Sequence, residues 1–381
     1  MRDSIKTKVE SGQRITTEEG LWLLRDANIL DLASLAQVWR DRHNPENRVT
    51  FVVDTNLNYT NVCDVNCTFC AFYRSAGHAE AYTYTVDEML VKLGEAIKKG
   101  VTTVLLQGGL NSALPMEYYE ELVRRTGEVY PELHAHFFSA PEIMKMTQVS
   151  GQPLDEVIRR LKASGLKSIP GGGSEVLSNR VKHKISRLWP KGKVDDWIAV
   201  HREAHKQGLR STATMMYGHM DVDEDIIEHM DHVRNLQDEH QGFTAFVPWS
   251  FSKGNSPLSK KVHEEAGPNR YLRIIATSRI FLDNFQHIQA SWFSEGKKTG
   301  QVALHFGGDD FGGTLFDENV MLASGFYNRT TVDEIKTLIR ESGFIPAQRT
   351  TLYEILDVFE APERQRVGVP VQQGTVSARA T

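Results

Sequence analysis

Cysteine is scarce in this chain of 381 residues: there are three, and all fall in the single run Cys63-Asp-Val-Asn-Cys67-Thr-Phe-Cys70. Three so close together would leave one unpaired in any disulfide scheme, and nothing else in the chain suggests export. Positive charge is not in excess either. Lys and Arg total 44 against 49 Asp and Glu, a net charge of −5, which removes the electrostatic footprint of a nucleic-acid binder and the polybasic patch of a membrane-surface protein. No apolar run approaches the roughly 20 residues needed to cross a bilayer. The opening stretch MRDSIKTKVESGQR lacks the apolar core of a signal peptide. A reducing cytoplasm is the expected compartment, with neither nucleic acid nor membrane as a partner.

What is present is the spacing C-x3-C-x2-C. A short loop of this kind can turn three thiolates toward three irons of one cubane cluster, and without a fourth cysteine the last iron stays open to an outside ligand. S-adenosylmethionine is the expected ligand. Its amino and carboxylate groups can chelate that iron, which brings the sulfonium close enough for an electron to split it into methionine and a 5′-deoxyadenosyl radical. Phe69, just before Cys70, completes the pattern C-x3-C-x-Φ-C. His78 could nominally complete a Cys3His zinc set, yet zinc sites are usually two separated pairs rather than one tight triplet.

Strand and helix patterns alternate along the chain, as in a parallel sheet built from βα units. The expected fold is an α/β barrel of the (β/α)8 TIM type, with an N-terminal helical extension over 1–48 and the barrel over 49–330. C-terminal helices over 331–360 would close it, and 361–381 would be a mobile tail. Candidate strands are 49–54, 101–106, 133–138, 166–169, 210–216, 242–249 and 287–290. Residues 302–306 read either as an eighth strand or as the end of a helix. Thr16 and Thr85 read as helix caps and Pro115 as a helix start. The cysteines follow the first strand directly, at the C-terminal mouth where such barrels place their active sites.

Several strand ends carry groups suited to that mouth. Gln107-Gly108-Gly109 reads as a turn or as backbone whose glycines allow a ligand to approach closely. His134 and His136 share one strand face and read as barrel-interior or substrate-facing residues rather than a metal pair, since no carboxylate or third histidine nearby completes a set. Ser139-Ala-Pro141-Glu142 is either a helix start or a polar contact to the nucleoside. Pro170-Gly-Gly-Gly173-Ser-Glu175 offers unencumbered backbone and a carboxylate for cofactor hydroxyls or cationic groups. The run Gly307-Gly-Asp-Asp-Phe-Gly-Gly313 lacks the Lys and Ser/Thr of a phosphate loop, so Asp309 and Asp310 read as polar floor residues or partners of substrate hydroxyls.

The blocks CDVNCTFCAFYR, HAHFFSAPEI, PGGGSEVLSNRV and TATMMYGHMD together resemble the futalosine-pathway radical S-adenosylmethionine enzymes and their deazaflavin-synthase relatives. Within that group FVPWSFSKGNSPL, IQASWFSEG, GGDDFGGTLFDENV and GFIPAQRTTLYEIL are similar to the cyclic dehypoxanthine futalosine synthases; the aminofutalosine synthases are the second reading and a non-catalytic metal-binding scaffold the third. The resemblance implies a [4Fe-4S] cluster on Cys63, Cys67 and Cys70, S-adenosylmethionine as cofactor, and an electron donor such as flavodoxin or ferredoxin. The small-molecule substrate would be dehypoxanthine futalosine. Its ribose C4′ would lose a hydrogen and add to its own benzoate ring, a reaction of menaquinone biosynthesis that rests on positioning.

On this reading Phe69, Tyr73, Gln107, Gly108, Gly109, Ser139 and Glu175 would contact the cofactor. His219, Glu175 or Asp310 would take the ring proton, with Tyr73 facing the reaction. Arg180, or Lys182 beside it, would pair with the benzoate carboxylate. His136, Trp249, Trp292 and Asp309 would complete the substrate contacts. Two departures from the cyclase pattern, at Asp309-Asp310 and at Arg187–Lys193, bear on those contacts and not on the cofactor chemistry.

Overall fold

The computed structural model describes residues 1–186 and 192–360; the expected tail and most of the Arg187–Lys193 departure lie outside them. The first strand forms in two parts, β1 (Arg48–Val52) and β2 (Asp54–Leu57), and every residue from Val49 to Leu57 is buried. β3 (Thr103–Leu106), β4 (His134–Phe137), β5 (Ser168–Ile169), β6 (Arg210–Tyr217), β7 (Phe243–Ser250) and β8 (His287–Ile288) follow. They make a seven-stranded sheet in the order β2-β3-β4-β5-β6-β7-β8, with every pairing parallel.

Parallel neighbours in chain order need a crossover between each pair, and helices supply it. Helix Val86–Lys98 shows why they form. Thr85 and Glu88 close a capping box, and the buried Val86, Met89, Leu90, Leu93 and Ala96 make one apolar stripe toward the sheet. The expected cap at Thr16 forms the same box with Glu19 at the head of helix Thr17–Arg25. Among the described residues no helix is long and apolar enough to cross a membrane.

The eighth strand is not at 302–306. The chain there continues helix Lys297–Ala303 into a 3-10 turn, Leu304–Phe306, and the closing strand comes next, as β9 (Asp310–Gly313). β9 pairs in parallel with β1 and meets the residue that follows β8 through the bridge Gln289 to Asp310, so the ring closes. Successive strand side chains point to opposite sides, and the two aspartates divide accordingly. Asp309 accepts bonds from the buried Arg279 guanidinium, from His287 Nδ1 at 2.5 Å and from Asn44 Nδ2 at 2.9 Å. Burial works to raise its pKa, but Arg279 and His287 prevail and hold it at about 2. Asp310 takes Arg349 at both carboxylate oxygens, 2.5 and 3.0 Å, with Thr50 Oγ1 at 2.6 Å and the Gly312 N–H at 2.9 Å. Both aspartates, expected as a substrate contact and a base, are spent on barrel closure.

The C-terminal part also differs from expectation. One helix forms, Val332–Glu341, and then the chain enters β10 (Ile345–Arg349) and turns back through β11 (Ile355–Val358). The cause is an open edge. Of the bent first strand β3 pairs with the β2 half alone, which leaves β1 open on that side, and β10 fills the gap by pairing in parallel with β1. The hairpin floors the barrel: Thr351 Oγ1 meets Thr103 Oγ1 at 2.7 Å, and Tyr353 stacks on His287 with centroids 3.7 Å apart. Burial opposes the charge of Arg349, yet Asp310 more than offsets it and raises the pKa.

Removing one partner of such a buried pair leaves an uncompensated charge, at a cost of about 3–5 kcal/mol. Asp310→Ala should therefore lower the urea unfolding midpoint by that much stability, and Asp310→Ala with Arg349→Met should recover part of it.

Candidate active site

The cysteine loop is tied to the barrel mouth along its length by backbone bonds. Gly109 N–H donates to Thr60 O at 3.0 Å, Asp64 N–H to Leu110 O at 3.0 Å, Cys63 N–H to Arg74 O at 3.0 Å and Thr68 N–H to Ile185 O at 2.7 Å. Arg74 gathers the end of the loop, its Nη1 donating to the carbonyls of Ala71, Phe72 and Tyr73 at 3.0, 3.3 and 2.9 Å. Cys67 is buried, Cys63 and Cys70 are half-buried, and none is in a disulfide. His78 sits on the exposed side, its Nδ1 accepting the Glu80 N–H at 3.1 Å.

Gly108 and Gly109 are explained by this loop. A Cβ on Gly109 would come within 2.0 Å of Val62 O, and one on Gly108 within 2.6 Å of the Tyr59 ring. The two glycines let the cysteine loop lie directly on the end of β3. Glu142 locks the arrangement from below: Oε1 accepts Tyr59 O–H at 2.7 Å and Gly108 N–H at 2.9 Å, and Oε2 accepts Ser139 N–H at 2.7 Å and Ser139 O–H at 2.5 Å. Burial raises the Glu142 pKa against these donors. Ser139 is thus a helix cap, the first of its two readings.

Beneath the loop the barrel holds a cavity of about 280 Å³. One side of its upper wall is Gln107, Gly172, Gly173 and Glu175. Gln107 lies across Gly172, where a Cβ would meet its Nε2 at 2.2 Å. Gly173, at φ 87°, and Glu175, at φ 44°, both hold left-handed backbone, a conformation that costs a non-glycine residue energy and clusters at functional sites. Lys182 Nζ donates to Gly173 O at 2.9 Å and lies 3.9 Å from Glu175 Oε2. Trp249 and Phe293 form an aromatic wall, their ring centroids 5.6 Å apart. His136 reaches the lower cavity and shares Ser168 Oγ with His134, at 2.6 and 2.8 Å. Burial keeps both imidazoles neutral, pushing His134 down to about 4 and His136 to about 3. Among the described lining residues Arg349 is the only cationic side chain, and Asp310 already holds it.

Several expected contacts lie elsewhere. His219 is buried behind the wall, with Nε2 donating to Met216 O at 2.8 Å and Nδ1 accepting the Met220 N–H at 2.7 Å; both ring nitrogens are engaged in shaping its own loop. Arg180 is bound to Asp225 and Met220 O. Trp292 is core, its Nε1 donating to Gly313 O at 3.0 Å, and its neighbour Phe293 takes the place expected of it. Tyr73 is half-buried outside the cavity lining, and Phe69 packs against the core. Asp54 and Asn56 on β2 were not anticipated, and both line the cavity. Their signal was legible: in Val52-Val-Asp54-Thr-Asn56 alternation puts two polar side chains on one face of a buried strand that leads straight to the cysteines. Burial pushes the Asp54 carboxyl up to about 6, against the Leu315 N–H and Arg349.

Comparison with known proteins accords with this geometry. The radical SAM superfamily model matches residues 57–233 and the CofH/MqnC C-terminal region matches 240–362. The chain is 39% identical to cyclic dehypoxanthine futalosine synthase of Halalkalibacterium halodurans, over 95% of this chain and 96% of that one. It is 35% identical to aminodeoxyfutalosine synthase of Thermus thermophilus, over 94% and 97% of the two. The fold superposes on the FeFe-hydrogenase maturase HydG of Carboxydothermus hydrogenoformans with a TM-score of 0.72 at 16% identity, covering 92% of this chain and 80% of that one. With three cysteines on a clamped loop at the mouth of a parallel barrel, the chain is an enzyme of the radical SAM superfamily, in the group that carries the CofH/MqnC C-terminal region.

Proposed function

We propose that this enzyme is the cyclase of the futalosine route to menaquinone, joining the ribose C4′ of dehypoxanthine futalosine to the substrate's own benzoate ring. The observation that carries the reading is a cavity in the barrel, below the cysteine loop, that has an aromatic wall on one side and hydrogen-bonding groups on another. Intramolecular closure needs both reacting ends held in one water-poor space. The likeness to a cyclic dehypoxanthine futalosine synthase over 95% of this chain supports the same choice.

Superfamily membership brings a [4Fe-4S] cluster and S-adenosylmethionine. The residues fit both: Cys63, Cys67 and Cys70 would hold the cluster, and Gln107, Gly172, Gly173 and Glu175 would take the sulfonium cofactor on a wall rich in open backbone. When bound, the pair supplies a carbon radical able to take a hydrogen atom from a sugar C–H bond, once a donor such as flavodoxin or ferredoxin has delivered the electron. Trp249 and Phe293 offer the benzoate ring a flat surface. Of the three bases expected, Glu175 alone lines the cavity, which supports it as the group that would take the ring proton. The floor of Arg349, Thr351 and Tyr353 keeps solvent out from below.

Anaerobic incubation with reductant, S-adenosylmethionine and dehypoxanthine futalosine should release 5′-deoxyadenosine and a product two hydrogen atoms lighter than the substrate. An adenosylated product from an enolpyruvyl benzoate, without free 5′-deoxyadenosine, would assign the aminofutalosine synthase reaction instead. Cys67→Ala should abolish the brown cluster absorbance and cofactor cleavage in a protein whose circular dichroism is unchanged. Glu175→Gln should raise the KM for cofactor or substrate with iron content unchanged, and unaltered kinetics would remove it from the site.

A further inference from the structure

One strand of the cavity wall presents two acceptor oxygens that its described neighbours leave without donors. Asp54 and Asn56 are two residues apart on β2, so their side chains share a face, roughly 6.6 Å apart along the strand. Both are buried, each 8% exposed, and both line the cavity. Asp54 Oδ1 accepts the Leu315 N–H at 2.8 Å, while Oδ2 takes no hydrogen bond from any described residue. Asn56 donates from Nδ2 to Glu318 Oε1 at 3.2 Å, and Glu318 is itself fixed by the N–H groups of Val320 and Met321 at 3.0 and 2.7 Å. A carboxylate beside the amide nitrogen sets the orientation of the Asn56 amide, so that Oδ1 is the atom left over. That Oδ1 is buried with no partner among the described residues.

A buried acceptor without a donor, as at Asn56 Oδ1, is costly, and with the second Asp54 oxygen beside it the wall calls for a ligand that brings its own O–H groups. Two hydroxyls of one pentose ring can span the spacing. Both possible sources carry a ribose, the substrate and S-adenosylmethionine, and depth distinguishes them. Asp54 lies on the floor side of the cavity, level with Thr103 on β3, whose hydroxyl meets that of Thr351, whereas the backbone wall of Gln107 and Gly172 lies at the mouth beside the cysteine loop. We propose that Asp54 and Asn56 are specificity-determining residues that read the ribose hydroxyls of the substrate. The assignment rests on the cyclase reading for the identity of that ribose.

Steady-state kinetics on cluster-loaded enzyme tests it. Asp54→Asn and Asn56→Leu should each raise the KM for dehypoxanthine futalosine about tenfold, with the KM for S-adenosylmethionine unmoved. A substrate analogue lacking one ribose hydroxyl should lose a similar factor on the native enzyme and little more on the variant that reads that hydroxyl, the non-additivity expected of direct contact. A raised KM for S-adenosylmethionine with the substrate KM unchanged would overturn the assignment in favour of the cofactor's ribose. Fully additive losses would overturn it in favour of a structural role. If Asp54→Asn does not fold, Asn56→Leu carries the same test alone. Native turnover with unaltered variants contradicts this inference only; failure of the native enzyme to convert dehypoxanthine futalosine contradicts the cyclase reading and this inference with it.

Discussion

Three thiolates can hold one cluster only if the backbone that carries them is fixed, and here that fixing is done by a strand end rather than by the loop itself. The loop lies on Gly108 and Gly109 so closely that neither position has room for a side chain. Glu142 ties Tyr59, Gly108 and Ser139 into one network beneath it. The network is buried, and a carboxylate with four donors in a low-dielectric setting is worth more than the same contacts at the surface. The seat of the cysteine loop and the position of the backbone wall beside it both depend on this platform.

The barrel below is closed by charge. Asp309 and Asp310, adjacent in sequence, face opposite sides and meet two buried guanidiniums, Arg279 and Arg349. Arg349 comes from the C-terminal hairpin, so closing the ring and flooring the cavity are one event. That coupling gives the C-terminal segment a share in the site, since Arg349, Thr351 and Tyr353 form its base.

The parts legible in the sequence were those written in local pattern. Alternating or continuous apolar runs such as VTTVLL marked strands, Thr85 with Glu88 marked a helix start, and the spacing of three cysteines marked the cluster loop. What escaped was set by distant partners. β9 is DFGG, with little strand propensity of its own, and it forms because β1 and the residue that follows β8 each offer it an edge. β10 pairs with a strand almost 300 residues earlier, so its local sequence could not announce it. Site residues followed the same division. Gln107 and Glu175 were placed by position in a βα unit and do line the cavity. His219, Arg180, Asp309 and Asp310 were polar residues near strand ends whose true partners, Met216, Asp225, Arg279 and Arg349, only the folded chain reveals.

The account stands on a cluster with three protein ligands and one open iron. Electron paramagnetic resonance of anaerobically reconstituted, reduced protein reads that state directly, before and after S-adenosylmethionine is added. A reduced [4Fe-4S] signal whose g values shift on addition is the predicted result. Protein that carries zinc at the cysteines, or a cluster signal that the sulfonium compound leaves unmoved, would contradict it.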